Sequence, residues 1–180
     1  DQFTHFRHDP NDVNSISSNL VLTMMEDNNS DLWIGTEDQG LNLFNKRTET
    51  FQRFTTSADG LQSKNIRTLC LSPNGNLWVG TGAGISIVDT KSLKITYPAL
   101  NQQLPNLVIS GIRFDNSGKV WVSHGKGMSR FDIQNNSIDN FSLEDGLQGI
   151  DFNYDADANS SLTGEFFFAG SNGFNVFDPL

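Results

Sequence analysis

The sequence predicts an all-β chain of propeller blades, and two observations carry that prediction. The first is a recurrent stretch, Leu77-Trp78-Val79-Gly80-Thr81, followed by a glycine hairpin through Gly84 and a further strand from Ile85. It returns as Leu32-Trp33-Ile34-Gly35-Thr36 with Gly40, as Val120-Trp121-Val122-Ser123-His124 with Gly127, and as Phe166-Phe167-Phe168-Ala169-Gly170 with Gly173. The aromatic anchors at 33, 78, 121 and 167 are spaced by 45, 43 and 46 residues, the period of a four-stranded blade. The second is the absence of helical periodicity in any stretch longer than a turn.

Each repeat reads in the same order. Near-continuous apolar runs (Leu20–Met25, Ile66–Leu71, Val108–Phe114) suit inner strands covered on both faces. Tight turns follow at Asp27-Asn28-Asn29-Ser30, Pro73-Asn74-Gly75-Asn76 and Asp115-Asn116-Ser117-Gly118, where Asn, Asp and Gly tolerate left-handed backbone. The Trp strand, its hairpin and a third strand come next. An outer strand with polar residues between apolar ones completes the unit: Thr50–Phe54, Lys94–Tyr97 and Ser137–Phe141. Phe3–Phe6 has the same look and predicts a closing strand beside Phe174–Phe177. The expected blades span about residues 20–55, 66–98, 108–141 and 152–178, with 2–6 as closing strand, in one domain of about 45-residue repeats. The fourth repeat is degenerate: Phe167 replaces Trp, and Asp151–Ala158 is polar for an inner strand.

Composition narrows the partners. A net charge of -9 and a pI near 4.6 repel phosphate backbones, which argues against nucleic acid, and disfavour electrostatic docking on anionic lipid. The single cysteine, Cys70, forms no internal disulfide and reads as a buried thiol. No apolar run reaches the roughly 18 residues of a membrane span. The abrupt opening on a strand predicts a piece of something longer.

The pattern of inner strand, Asn/Asp-x-x-Gly, Leu-Trp-Ile/Val-Gly-Thr and Gly-Leu/Ile, with Phe51-x-x-Phe54 and Asp59-Gly60-Leu61, resembles the two-component regulator propeller repeat. The passage from Asp145-Gly146-Leu147 through Gly170-Ser171-Asn172-Gly173-Phe174 to Phe177-Asp178-Pro179 is similar to that family's closing blade. The third repeat departs at Ser123-His124 and the fourth lacks its Trp. The resemblance implies a periplasmic sensor region of a bacterial inner-membrane receptor, with a larger, seven-bladed propeller followed by an immunoglobulin-like module, a membrane span and a kinase or cyclase output. It also implies an oligosaccharide as ligand class, and the membrane enters only through the parent protein.

Candidate site residues are those that break the repeat at loops. His124 and Lys126 stand where other repeats have Thr and Ala or Gln, and Arg67 brings charge to the start of an inner strand. The three are the expected ligand contacts. Trp33, Trp78 and Trp121 share one repeat position and read as blade packing. Asp155-x-Asp157-x-Asn159 resembles the opening of a calcium loop but has Ser160 and Phe166 where glycine and glutamate are required. His5, His8 and His124 lack metal-ligand spacing, so no cofactor or metal is expected. No nucleophile elbow is present. The expectation is a non-catalytic sensory module, with a propeller lyase or hydrolase, or a structural spacer or protein-interaction module, as the alternatives; a homodimer is a further possibility.

Overall fold

The computed structural model describes residues 3–55 and 59–180. Among these residues fifteen strands form four antiparallel meanders. Blade one contains β1 (Val21–Glu26), β2 (Leu32–Thr36), β3 (Leu41–Asn45) and β4 (Thr50–Phe54). Blade two contains β5 (Ile66–Leu71), β6 (Leu77–Thr81), β7 (Gly84–Val88) and a two-residue β8 (Ile95–Thr96). Blade three contains β9 (Ile109–Phe114), β10 (Val120–His124), β11 (Gly127–Asp132) and β12 (Ser137–Phe141). Blade four has three strands: β13 (Phe152–Asn159), β14 (Phe166–Gly170) and β15 (Gly173–Phe177).

The tryptophans occupy equivalent positions. Each is the second residue of its blade's second strand, opposite Leu43, Ile87 and Arg130 of the third strands. Alternation then gives every blade a forward and a backward face. Trp33, Leu41 and Phe54 pack forward on Ile66, Leu69, Leu77 and Val79 of blade two. Trp78 and Ile85 pack on Ile109, Ile112, Val120 and Val122 of blade three, and Trp121 and Met128 on Phe152, Phe166 and Phe168 of blade four. Burying a large aromatic in each seam contributes on the order of 3 kcal/mol.

Two devices each recur at two of the three Trp positions. Asp27 and Asp115 accept the indole N–H of Trp33 and Trp121 through Oδ2, both at 3.0 Å, while Oδ1 caps the preceding turn. The glycine two residues after Trp is required because the next inner strand crosses it: a Cβ on Gly35 would lie 2.5 Å from Ile66 Cγ2, and one on Gly80 2.8 Å from Ile109 Cγ2.

The closing strand is not formed. Phe3–Phe6 is irregular, Gln2 lies outside the described residues, and blade four has no fourth strand among the described residues. Phe6 instead packs edge-on against Phe44 (4.8 Å) and Phe51 (5.7 Å) of blade one. The reason is local tethering. Arg53 donates to the carbonyls of Asp12 and Ser15 and to Ser15 Oγ, each at 2.8 Å, and so holds the connection against β4. The covered-on-both-faces expectation also fails for β1, where Met24 is 61% exposed while its counterparts Leu69 and Ile112 are buried. Among the described residues no strand packs on that side of β1.

Candidate functional site

The outer-to-inner connections and the Trp-strand hairpins are stitched together at one end of the blades. Gly40 N–H donates to Lys64 O, Gly82 N–H to Asn65 O, Gly125 N–H to Val108 O and Ser171 N–H to Asp151 O. The same position of the third strand pins the connection in blades one and four: Asn42 Oδ1 accepts Ser17 N–H and Asn175 Oδ1 accepts Gln148 N–H, both at 2.9 Å.

His124 lies at this end but is buried. Thr36 and Thr81 accept the backbone N–H of Gln39 and Ala83 and donate to the carbonyls of Gly40 and Gly84. His124 reproduces half of that role, its Nδ1 accepting the N–H of Lys126 at 3.2 Å. That bond puts the ring proton on Nε2, which donates to Ser129 Oγ at 2.8 Å, and Ser129 donates onward to Asn140 Oδ1 at 2.6 Å. Burial first, and Lys126 second, push the imidazole down to about 4, so the ring is neutral near pH 7. With both nitrogens engaged, it is not placed as a general base. Lys126 itself is exposed at the hairpin tip.

Arg67 is half-buried and belongs to a different cluster. Its Nε donates to Asn65 Oδ1 and its guanidinium lies 4.4 Å over the Tyr154 ring. Tyr154 is 45% exposed and comes from β13, which leans across the inner strands of blades two and three. Thr68 donates to Asp155 Oδ1 (3.1 Å) in the same crossing, where Asp155 holds a positive φ of 52°. No hydrogen bond or ion pair joins Arg67 to His124 or Lys126 among the described residues.

β13 also carries a buried ion pair. Asp157 stands where Leu69 and Ile112 stand in blades two and three, and Arg113 where Cys70 does. Arg113 Nε meets Asp157 Oδ2, and Arg113 Nη2 donates to Asp157 O at 2.5 Å. Burial pushes the Asp157 carboxyl up to about 6 despite the opposing guanidinium, with Asp155 adding to the rise. Burial pushes the nearby Cys70 thiol up to about 12, so it stays protonated. No group of three or more metal-ligating side chains occurs among the described residues.

Sequence reasoning did not single out a shallow, open cleft of about 480 Å³ at this end, on blade one. His8, Ser18, Asn19, Asp38, Gln39 and Arg53 line it. His8 Nδ1–H donates to Ile16 O at 2.9 Å, which leaves Nε2 as an acceptor. The side chains of Asp38 and Gln39 make no hydrogen bond among the described residues. The cleft therefore offers carboxylate, amide, imidazole and guanidinium groups to one ligand. Its only sequence signal was the polar connection His8–Ser18 itself.

Residues 15–38 and 60–83 match the family described as two component regulator propeller. The chain carries two-component regulator propeller repeats. It is 31% identical over 141 residues to histidine kinase P4 of Formosa agariphila, covering 68% of this chain and 10% of that kinase. It superposes on the extracellular domain of a hybrid two component system from B. thetaiotaomicron with a TM-score of 0.83 and 21% identity, over 98% of this chain and 24% of that one. A second extracellular domain from the same organism, of a one component system, gives 0.79 and 19%, over 96% and 25%. These repeats thus span a tenth of the kinase and about a quarter of each extracellular domain. The superpositions show that the chain shares its fold, antiparallel four-stranded sheets packed face to face like blades, with these extracellular domains.

Proposed function

We propose that these repeats are part of the non-catalytic, ligand-binding propeller of an extracytoplasmic receptor in bacterial two-component signalling. The observation that carries the reading is the pairing of the regulator propeller repeats at 15–38 and 60–83 with a hydrogen-bonded loop end bearing an open polar cleft. The ligand is a neutral, hydroxyl-rich molecule such as an oligosaccharide. Asp38, Gln39 and Arg53 supply the acceptors and donors that sugar hydroxyls require, and the exposed Tyr154 ring backed by Arg67 offers a stacking surface. Lys126 contributes a contact at the hairpin tip, while His124 shapes that hairpin from beneath. In the parent receptor, further blades complete a seven-bladed ring, an immunoglobulin-like module follows, and the membrane is crossed outside this chain. A ligand acts there by binding one arrangement of blades better than another.

The test is a thermal-shift screen with a panel of oligosaccharides. At a ligand concentration 100 times Kd, stabilisation is about 2.7 kcal/mol, or roughly 5–11 °C for a chain of this size. D38N/Q39A alters only cleft side chains without hydrogen bonds and is expected to abolish the shift while leaving the unliganded Tm unchanged. A shift that survives D38N/Q39A removes the cleft from the reading. No shift with any sugar removes the ligand class.

A further inference from the structure

We propose that the seam between blades two and three binds the acetamido group of an N-acetylated sugar, held by the indole N–H of Trp78. The turn from first to second strand is built alike in blades one to three. The N–H of Asp27, Ser72 and Asp115 donates to the carbonyl of Asp31, Asn76 and Lys119, and the N–H of Ser30, Gly75 and Gly118 donates back to the first residue's carbonyl. Each first residue lies six positions before its blade's Trp. In blades one and three it is an aspartate whose Oδ2 takes the indole N–H at 3.0 Å. In blade two it is Ser72, which is shorter, and its hydroxyl is drawn to Asn74 Oδ1 at 2.6 Å and Asn76 O at 2.8 Å. The Trp78 indole N–H has no acceptor among the described residues, although Trp78 is only 5% exposed. A nearly buried indole donor normally finds a partner.

A cleft of about 230 Å³ lies at this position, lined in part by Ser72, Asn74, Trp78, Phe114, Ile133 and Gln134. It is at the end of the blades opposite the blade-one cleft, shares no residue with it and does not rest on it. Blades two and three each have a packed neighbour on both sides within this chain. Trp78 and Phe114 meet edge to face at 5.0 Å, and the exposed Ile133 extends their apolar wall. The side chain of Gln134 and the Nδ2 of Asn74 make no hydrogen bond among the described residues. No Lys, Arg or His lines the cleft.

These groups select the occupant. Whatever meets the indole N–H must bring an acceptor oxygen, as Asp27 and Asp115 do. A carboxylate is disfavoured, because no cation lines the cleft to offset its desolvation and the chain carries a net charge of -9. A neutral carbonyl has neither cost. The apolar wall takes a methyl group, and Gln134 Oε1 accepts an N–H. Carbonyl, methyl and N–H together make an acetamido group. The cleft is smaller than the roughly 300–1,000 Å³ of pockets that enclose a drug-sized ligand, so it takes a single sugar unit, acetamido group first. The ring hydroxyls then meet the exposed amides of Asn74 and Gln134, which the alkyl chain of an acetylated lysine would leave without polar partners.

The test is a titration of the 15N-labelled chain with N-acetylglucosamine, read at the indole N–H signals of Trp33, Trp78 and Trp121, with W78F assigning the middle one. The Trp78 signal is expected to move while the other two stay, and glucose and glucosamine are expected to move none. S72D gives blade two the aspartate that blades one and three already fold with. It supplies the acceptor from within, and is expected to weaken binding about tenfold or more, as loss of about 1.4 kcal/mol would, with its Tm retained or raised. A Trp78 signal unmoved at about 50 mM sugar, far above a millimolar Kd, overturns the proposal. So does an equal response to glucose, or binding undiminished in S72D. A stronger response to Nε-acetyllysine than to the sugar overturns the sugar as occupant.

Discussion

The ion pair between Arg113 and Asp157 makes a demanding test of the blade seam, because the repeats themselves supply its apolar control. Blades two and three meet through Cys70 and Ile112, whereas blades three and four meet through Arg113 and Asp157 at the same register. R113M leaves the Asp157 carboxylate buried without its partner. Above pH 7 that costs about 3–5 kcal/mol, a fall in Tm of roughly 6–20 °C at 2–4 °C per kcal/mol. The cost shrinks at pH 5, because the folded-state pKa of about 6 leaves the carboxyl mostly protonated there. A carboxyl whose pKa is raised on folding contributes stability that is full below the unfolded value and lost as pH rises through the folded one. For Asp157 that window runs from the ordinary carboxylate value of 3.8 to about 6, and its two-unit width is worth about 3 kcal/mol. R113M/D157L restores the apolar pairing of the other seams and is expected to match or exceed the wild-type stability at pH 8. Urea unfolding of wild type, R113M, D157L and R113M/D157L at pH 5 and pH 8 gives the full cycle. An R113M cost equal at both pH values, or a double variant less stable than R113M, refutes the argument.

Two further predictions concern the repeat devices. His124 has the opposite sign to Asp157: its pKa is lowered on folding, so its contribution is full above 6.5 and lost as pH falls towards about 4. H124N keeps an acceptor for the Lys126 N–H without titrating, and is expected to remove about 3 kcal/mol of acid destabilisation between pH 7 and pH 4. An unchanged slope in urea midpoint against pH would show that the ring is not held neutral. D115A removes the indole acceptor of Trp121 and the caps on Ser117 and Lys119. It is expected to destabilise by about 1–3 kcal/mol, and D27A by a similar amount. A loss below 0.5 kcal/mol in both would mean that the indole bonds contribute nothing net.

The repeat was legible in the chain because its causes are local. Trp at a fixed place in a short apolar strand, and Asn, Asp or Gly at hairpin positions, act within a few residues of their own backbone. Four sheets and the equivalence of Trp33, Trp78 and Trp121 follow from that. The glycine two residues after Trp33 and Trp78 was legible as a motif, but its reason is not local, since Gly35 and Gly80 make room for Ile66 and Ile109 of the next blade. The site was less legible. His124 stood out as a break in the pattern, yet the fold buries it in the hairpin role that Thr36 and Thr81 perform. Arg67 stood out too, but its partner Tyr154 lies 87 positions away and only the crossing of β13 brings them together. The cleft of His8, Asp38, Gln39 and Arg53 draws on three separate segments of blade one and has no signature in any of them.

The stretch from Phe3 to Phe6 marks the boundary between the two kinds of information. Its sequence alone determined that it has the apolar spacing of an outer strand, because that spacing is set by the two-residue pleat. Only the tertiary structure decided which edge it serves. Arg53 ties the connection after it to β4, so Phe6 packs on Phe44 and Phe51, and β15 pairs only with β14 among the described residues.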